Sequence, residues 1–218
     1  MSEEKPAGSA AGPQKIEHTF LYTLCRILFG FAFHTFCPVR YHSAERIEAT
    51  DAPYLIIGNH LSAVDPFVLA VATRRYEIRF IGKRELTKNK LLASILNALH
   101  MIPVSRHSTD MSAMRACVQV LRDGQVLGIF PEGTRHLPSL MQTVESGAAL
   151  IALRANVPLL PVYIDSRVRC FHRTNVWVGE PIDFSDLRAQ GVNTDTVNLL
   201  CERIRDTYLS MQKEFSAK

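Results

Sequence analysis

In the stretch GNHLSAVD a histidine, His60, stands five residues ahead of an aspartate, Asp65. Neighbours on one helical face are three or four apart, so a helix would not bring these two side chains together. The spacing suits a loop. APYLIIGN before it reads as a strand. Asp65-Pro66 opens the helical pattern PFVLAVATRR, with aspartate at the N-cap and proline at the first helical position. A compact turn can then fold His60 back so that Asp65 accepts one ring N–H. The other ring nitrogen is left as an acceptor, which is a general base with an orienting carboxylate. A plainer reading stands beside it: Asp65 caps the helix and His60 is a surface loop residue. A metal site has less support, because no H-E-x-x-H and no Cys/His cluster supplies further ligands.

A second loop, GIFPEGTR from Gly128 to Arg135, also follows a buried apolar run. Pro131 ends the strand, and Gly133 permits a close backbone approach or an unusual φ. Glu132 and Arg135 put a carboxylate and a guanidinium in one tight turn, and a guanidinium suits bidentate recognition of phosphate. A local Glu–Arg pair in a polar turn is the alternative. In HMIPVSR a short strand delivers Arg106, and in FIGKREL a strand ends at Lys83. Lys83 is either a cation beside the same site or a solvated strand end. G-x-S-x-G, G-x-x-x-x-G-K-[ST] and G-x-G-x-x-G are all absent, so neither a nucleophile elbow nor a nucleotide cradle is supported. Ser62 lies beside His60, but without such an elbow.

These loops need a scaffold that gathers them. Strand patterns at VRYHSAERI, APYLIIGN, EIRFIGK, MIPVS, QVLGIFP, VPLLPVYI and TNVWVGEPI, the last read as an edge strand, alternate with helical ones. The final helix, about 194–215, carries Val197, Leu200, Cys201, Ile204, Tyr208, Met211 and Phe215 on one stripe. Alternation of this kind predicts an α/β domain, one mostly parallel sheet flanked by helices, with its chemistry beyond the carboxyl ends of the strands. The expected organisation is a disordered leader over 1–15, a membrane-interfacial helical segment over 16–38 and the α/β domain over 39–218. Residues 20–37, FLYTLCRILFGFAFHTFC, are the most apolar stretch, interrupted by Arg26 and His34. A helix lying in a membrane interface, a buried core helix and a short span all fit it. Because the strands begin at Val39, the domain is expected to fold without this segment. No signal peptide is expected. With 218 residues, 47% of them hydrophobic, and a net charge of +4, the chain buries a sizeable core. A membrane surface or a phosphate-bearing substrate suits its mild basicity at least as well as nucleic acid. Five scattered cysteines without C-x-x-C argue against a disulfide framework.

Taken in order, the segments resemble the motifs of the glycerolipid acyltransferase family. Asn59, His60 and Asp65 match its N-H-x-x-x-x-D, Arg106 its second motif, Phe130 to Arg135 its F-P-E-G-T-R, and VPLLPV its fourth. The resemblance runs from about Phe20 to Pro181. It implies transfer of a fatty acyl group from an acyl thioester to the sn-2 hydroxyl of lysophosphatidic acid, giving phosphatidic acid. Another acceptor, such as a lyso-ornithine lipid or a lysophospholipid, and a thioester hydrolase are the alternatives. It further implies that His60 deprotonates the hydroxyl and Asp65 orients it. Arg106, Glu132, Gly133, Thr134 and Arg135 would hold the acceptor. Acyl-CoA or acyl-carrier protein would be the donor, with no cofactor, no metal and no nucleic acid. The cytoplasmic face of a bacterial inner membrane would be the location. The chain departs from the family where a Lys-Gly pair commonly follows the third motif. Here Ser146 precedes Gly147, and Lys83 is the candidate substitute.

Overall fold

The computed structural model describes residues 19–88, 90–98, 100–104, 111–135 and 139–216. The expected leader over 1–15 and Arg106 lie outside the described residues. Helix α1 (Phe20–Thr35) precedes strand β1 (Val39–His42) and the short helix α2 (Glu45–Ala49). Next come β2 (Leu55–Gly58), α3 (Asp65–Ala72), β3 (Ile78–Lys83), a 3-10 turn over Arg84–Lys88, α4 (Lys90–Ala98) and β4 (Ile102–Val104). The second half runs through α5 (Met111–Arg122), β5 (Val126–Ile129), α6 (Ser146–Ala155), β6 (Leu159–Ile164), β7 (Thr174–Val178), α7 (Ser185–Ala189) and α8 (Thr194–Ser216).

The seven strands form one sheet in the order β1-β7-β6-β2-β5-β3-β4. Every pairing is parallel except that of β6 with β7. Strands β6, β2, β5, β3 and β4 therefore all deliver their carboxyl ends to one edge. The amino ends of β7 and β1 meet them there. β2 alternates as a pleated strand must: Leu55 and Ile57 face one core, Ile56 the other. The first core is closed by α5, α6 and α8, through Cys117, Ala149, Leu200, Ile204 and Tyr208. The second is closed by α1 and α3, through Tyr22, Phe33, Val68 and Leu69. With helices on both faces the central strands carry unbroken apolar runs: LIIG, VLGI and LLPVYI are buried throughout.

Two sequence expectations change. TNVWVGEPI is not an edge strand, because β1 adds outside β7 in parallel. VRYHSAERI divides into strand β1 and helix α2. Helix α1, within the expected 16–38 segment, packs on the sheet domain along one face. On α1, Tyr22, Cys25 and Phe33 are buried, and Phe29 stacks on Phe67 of α3 at 3.8 Å between centroids. The Tyr22 hydroxyl accepts the Ile78 N–H at 3.0 Å. Arg26 turns inward, donating to the Thr73 carbonyl at the C-terminal end of α3. The opposite face of α1 leaves Phe20, Leu24, Ile27, Leu28 and Phe31 exposed at helical spacing. One helix thus has a core face and an outward apolar face. No described helix is long and apolar enough to cross a membrane.

Candidate functional site

β2 ends at Gly58, and the next seven residues build the centre of the site. Asn59, buried, acts as a spacer to β6: its Nδ2 donates to Ile164 O at 2.9 Å and its Oδ1 accepts the Ile164 N–H at 2.8 Å. Amide and carbonyl are both satisfied, as a buried side chain requires. The chain then turns at His60, Leu61 and Ser62, and Asp65 begins α3. Val64, not Asp65, occupies the N-cap position, so the expected cap is displaced by one residue. Asp65 is instead the hub of the loop. Its Oδ2 accepts the Leu61 and Ser62 N–H groups, each at 2.7 Å, and meets His60 Nδ1 at 2.9 Å. Its Oδ1 accepts the Ser62 hydroxyl at 2.5 Å.

The backbone donors decide the imidazole tautomer. An oxygen that already accepts two N–H groups is an acceptor towards His60 as well, so Nδ1 carries the proton. Nε2 is then the free lone pair. Asp65 is fully buried, whereas the His60 side chain keeps 19% of its surface exposed. Among the described residues nothing engages Nε2. Phe130 stacks on the His60 ring at 4.3 Å and 21°, fixing the plane in which Nε2 points. Phe80 stacks behind Phe130 at 6.3 Å.

β5 delivers the second loop to the same edge. Glu132, read from sequence as a ligand contact, is buried and spends both oxygens on backbone. Oε2 accepts the His60 N–H at 2.6 Å and Oε1 the Met141 N–H at 2.9 Å. It therefore joins the two loops. Burial pushes its carboxyl above the ordinary 4.5, with the two amides acting the other way. Gly133 has φ +65°, a left-handed conformation that favours glycine, and a Cβ there would lie 3.0 Å from Glu145 Cγ and press on that side chain. Thr134 and Arg135 follow, half-buried, and among the described residues no hydrogen bond or ion pair engages the Arg135 guanidinium. Lys83, at the carboxyl end of β3, is also half-buried without a described polar partner.

The structure thus brings His60, Asp65 and Glu132 into direct contact. Gly133, Thr134, Arg135 and Lys83 stand on the same edge, and Arg106 lies outside the described residues. Sequence reasoning missed three groups. Ser62, passed over as a nucleophile, secures Asp65. Tyr208, from α8, donates to Ile57 O at 2.7 Å and holds the end of β2. Burial raises its phenol well above the usual value. Arg167, beyond β6, donates through Nε to Leu61 O at 2.8 Å. The arginines at 167, 169 and 173 after β6 are the sequence signal that could have pointed to the last. Among the described residues no group of His, Cys, Asp or Glu side chains could hold a metal ion.

Comparison with known proteins bears on the family and the fold. The model of the Acyltransferase family matches residues 38–165. Over 180 residues the chain is 28% identical to a Streptococcus pneumoniae protein named 1-acyl-sn-glycerol-3-phosphate acyltransferase, covering 80% of this chain and 66% of that one. A Bacillus subtilis protein of the same name is 29% identical over 176 residues, covering 77% and 87%. Among solved structures, the Thermotoga maritima 1-acyl-sn-glycerophosphate acyltransferase superposes with a TM-score of 0.65. That match has 21% identity and covers 91% of this chain and 79% of that one. At that identity the likeness shows the fold.

Proposed function

The chain belongs to the Acyltransferase family, and from that premise we propose that it transfers a fatty acyl group from an acyl thioester to the sn-2 hydroxyl of lysophosphatidic acid. The product is phosphatidic acid, a step of phospholipid biosynthesis. The observation that carries the reading is the His60–Asp65 contact with Nε2 left free at the carboxyl edge of the sheet. The names of the bacterial relatives support the acceptor.

In this mechanism Nε2 takes the proton of the acceptor hydroxyl as its oxygen attacks the thioester carbon. The tetrahedral intermediate collapses, the C–S bond breaks, and the departing thiolate receives the proton from the imidazolium. Asp65 stabilises that imidazolium and holds the ring. No acyl-enzyme forms. A general base of this kind contributes about 10²–10⁴-fold. Arg135, Lys83 and Arg106 would meet the acceptor phosphate, with the Gly133 and Thr134 backbone beside it. Glu132, both oxygens already engaged, acts by setting the distance between the two loops rather than by touching phosphate. The donor would be acyl-CoA or acyl-carrier protein.

Both reaction partners carry apolar chains, so the site must meet a bilayer. The outward face of α1 supports attachment in the membrane interface, on the cytoplasmic side where acyl thioesters are made. The deciding assay offers purified protein an acyl-CoA with lysophosphatidic acid, a lysophospholipid, a lyso-ornithine lipid or water alone. Thiol release that depends on lysophosphatidic acid, with phosphatidic acid formed in equal amount, is expected. Release of free fatty acid at the same rate without any acceptor would mean a thioester hydrolase.

A further inference from the structure

Between β6 and β7 the chain makes a tight turn. Arg169 and His172 form an isolated antiparallel bridge, and the His172 N–H donates to Arg169 O at 3.3 Å. Cys170 and Phe171 are its tip. Phe171 has φ +58°, in the left-handed region where glycine or asparagine is usual and a bulky side chain is rare. The residue is 85% exposed, so its ring gains almost no packing within the chain, while its backbone is held in place by a hydrogen bond to Phe36. An aromatic ring held outward in an unfavourable backbone state points to a partner outside the chain.

Position, charge and connection identify that partner. The Phe171 N–H donates to Phe36 O at 2.7 Å, and the Cys170 and Cys37 sulfurs lie 3.2 Å apart, so the tip sits at the C-terminal end of α1. Phe36 is exposed and meets Phe31 edge-on at 6.2 Å, which makes Phe171 a continuation of the outward apolar face of α1. Arg167, Arg169 and Arg173 surround the tip, all exposed. The nearby acid, Asp165, is already occupied by Ser166 and Asn175. Arginines flanking an exposed aromatic ring match the headgroup and acyl boundary of an anionic bilayer. Finally, Arg167 Nε holds the Leu61 carbonyl, so the turn is tied to the residue next to His60.

We propose that the 167–173 turn is a second membrane contact beside α1. Phe171 enters the acyl boundary, Arg169 and Arg173 meet anionic headgroups, and Arg167 transmits that depth to the His60 loop. The inference rests on the proposed reaction at a bilayer. Its test is vesicle sedimentation of the full chain. One set of vesicles is phosphatidylcholine alone, and a second also contains phosphatidylglycerol.

Phe171→Ser is expected to weaken binding to both vesicles about tenfold, since one aromatic side chain stays in water. Phe171→Gly should do the same while matching or exceeding wild type in thermal stability, because glycine accepts the backbone conformation. Arg169→Ser with Arg173→Ser should weaken binding only to the anionic vesicles, and high salt should remove the difference. All three should keep wild-type activity on a soluble short-chain acceptor. Unchanged vesicle binding by both Phe171 variants would overturn the proposal. So would a loss of self-association with vesicle binding intact, which would make the patch a contact between copies. Absence of activity on the soluble acceptor in the wild type would instead defeat the acyltransferase reading.

Discussion

Glu132 shows how far a residue's type and spacing reach. FPEGTR announces a carboxylate beside a guanidinium, and that was legible. Its direction was not, because its partners are the amides of His60 and Met141, set by tertiary structure. His60 and Asp65 were readable because their partners lie within five residues. Asn59 and Tyr208 were not, since they reach Ile164 and Ile57 across more than a hundred residues. Glu132→Gln tests the clamp. A glutamine has one oxygen for two N–H donors, so the His60 loop should shift and turnover fall on the order of 10²-fold. Stability should respond with a defined sign. A carboxyl whose folded pKa is raised contributes its stability below its ordinary value of 4.5 and loses it as pH rises through the raised value. Wild type should therefore lose stability relative to the glutamine variant between acid and neutral pH. Urea unfolding of both proteins at the two pH values checks this. A difference that grows in wild type's favour with pH would contradict it.

At the scale of elements, α1 answers two demands at once. Its apolar residues exceed what one packed face needs, and sequence alone left interfacial, core and spanning readings open. The structure divides them: positions 22, 25, 29 and 33 face the core, and 20, 24, 27, 28 and 31 face outward. Removing residues 1–37 would thus open the core over Ile78 and Val68, contrary to the expectation that 39–218 folds alone. Point changes separate the faces better. Tyr22→Phe leaves the buried Ile78 N–H without its acceptor and should cost about 1–3 kcal/mol. Ile27→Ser with Phe31→Ser should leave thermal stability near wild type but reduce vesicle binding. Equal destabilisation by both sets would mean that the outward face is covered in solution. The central strands were legible as apolar runs between turn residues. The place of β7 was not, because its neighbour β1 comes from the far end of the domain, and strand order is a property of the whole sheet.

The whole molecule places five parallel carboxyl ends on one edge, and the loops after β2, β5 and β3 carry the proposed chemistry there. This is why motifs more than seventy residues apart in sequence, at His60 and Arg135, lie on one edge of the sheet. Arg135 is half-buried on this edge, where the proposed mechanism puts the acceptor phosphate. Arg135→Ala should raise KM for a phosphorylated acceptor about 10–100-fold with little change in kcat, and should affect a phosphate-free acceptor far less. Equal losses on both acceptors would assign the guanidinium to the donor or to folding. In the proposed reaction everything turns on His60 removing the proton of a lysophosphatidic acid hydroxyl. The direct measurement is turnover of acyl-CoA with lysophosphatidic acid by His60→Ala, with its unfolding transition recorded alongside. An unchanged unfolding midpoint is expected, with phosphatidic acid formation reduced about 10²-fold or more. A folded His60→Ala protein that makes phosphatidic acid at the wild-type rate would contradict it.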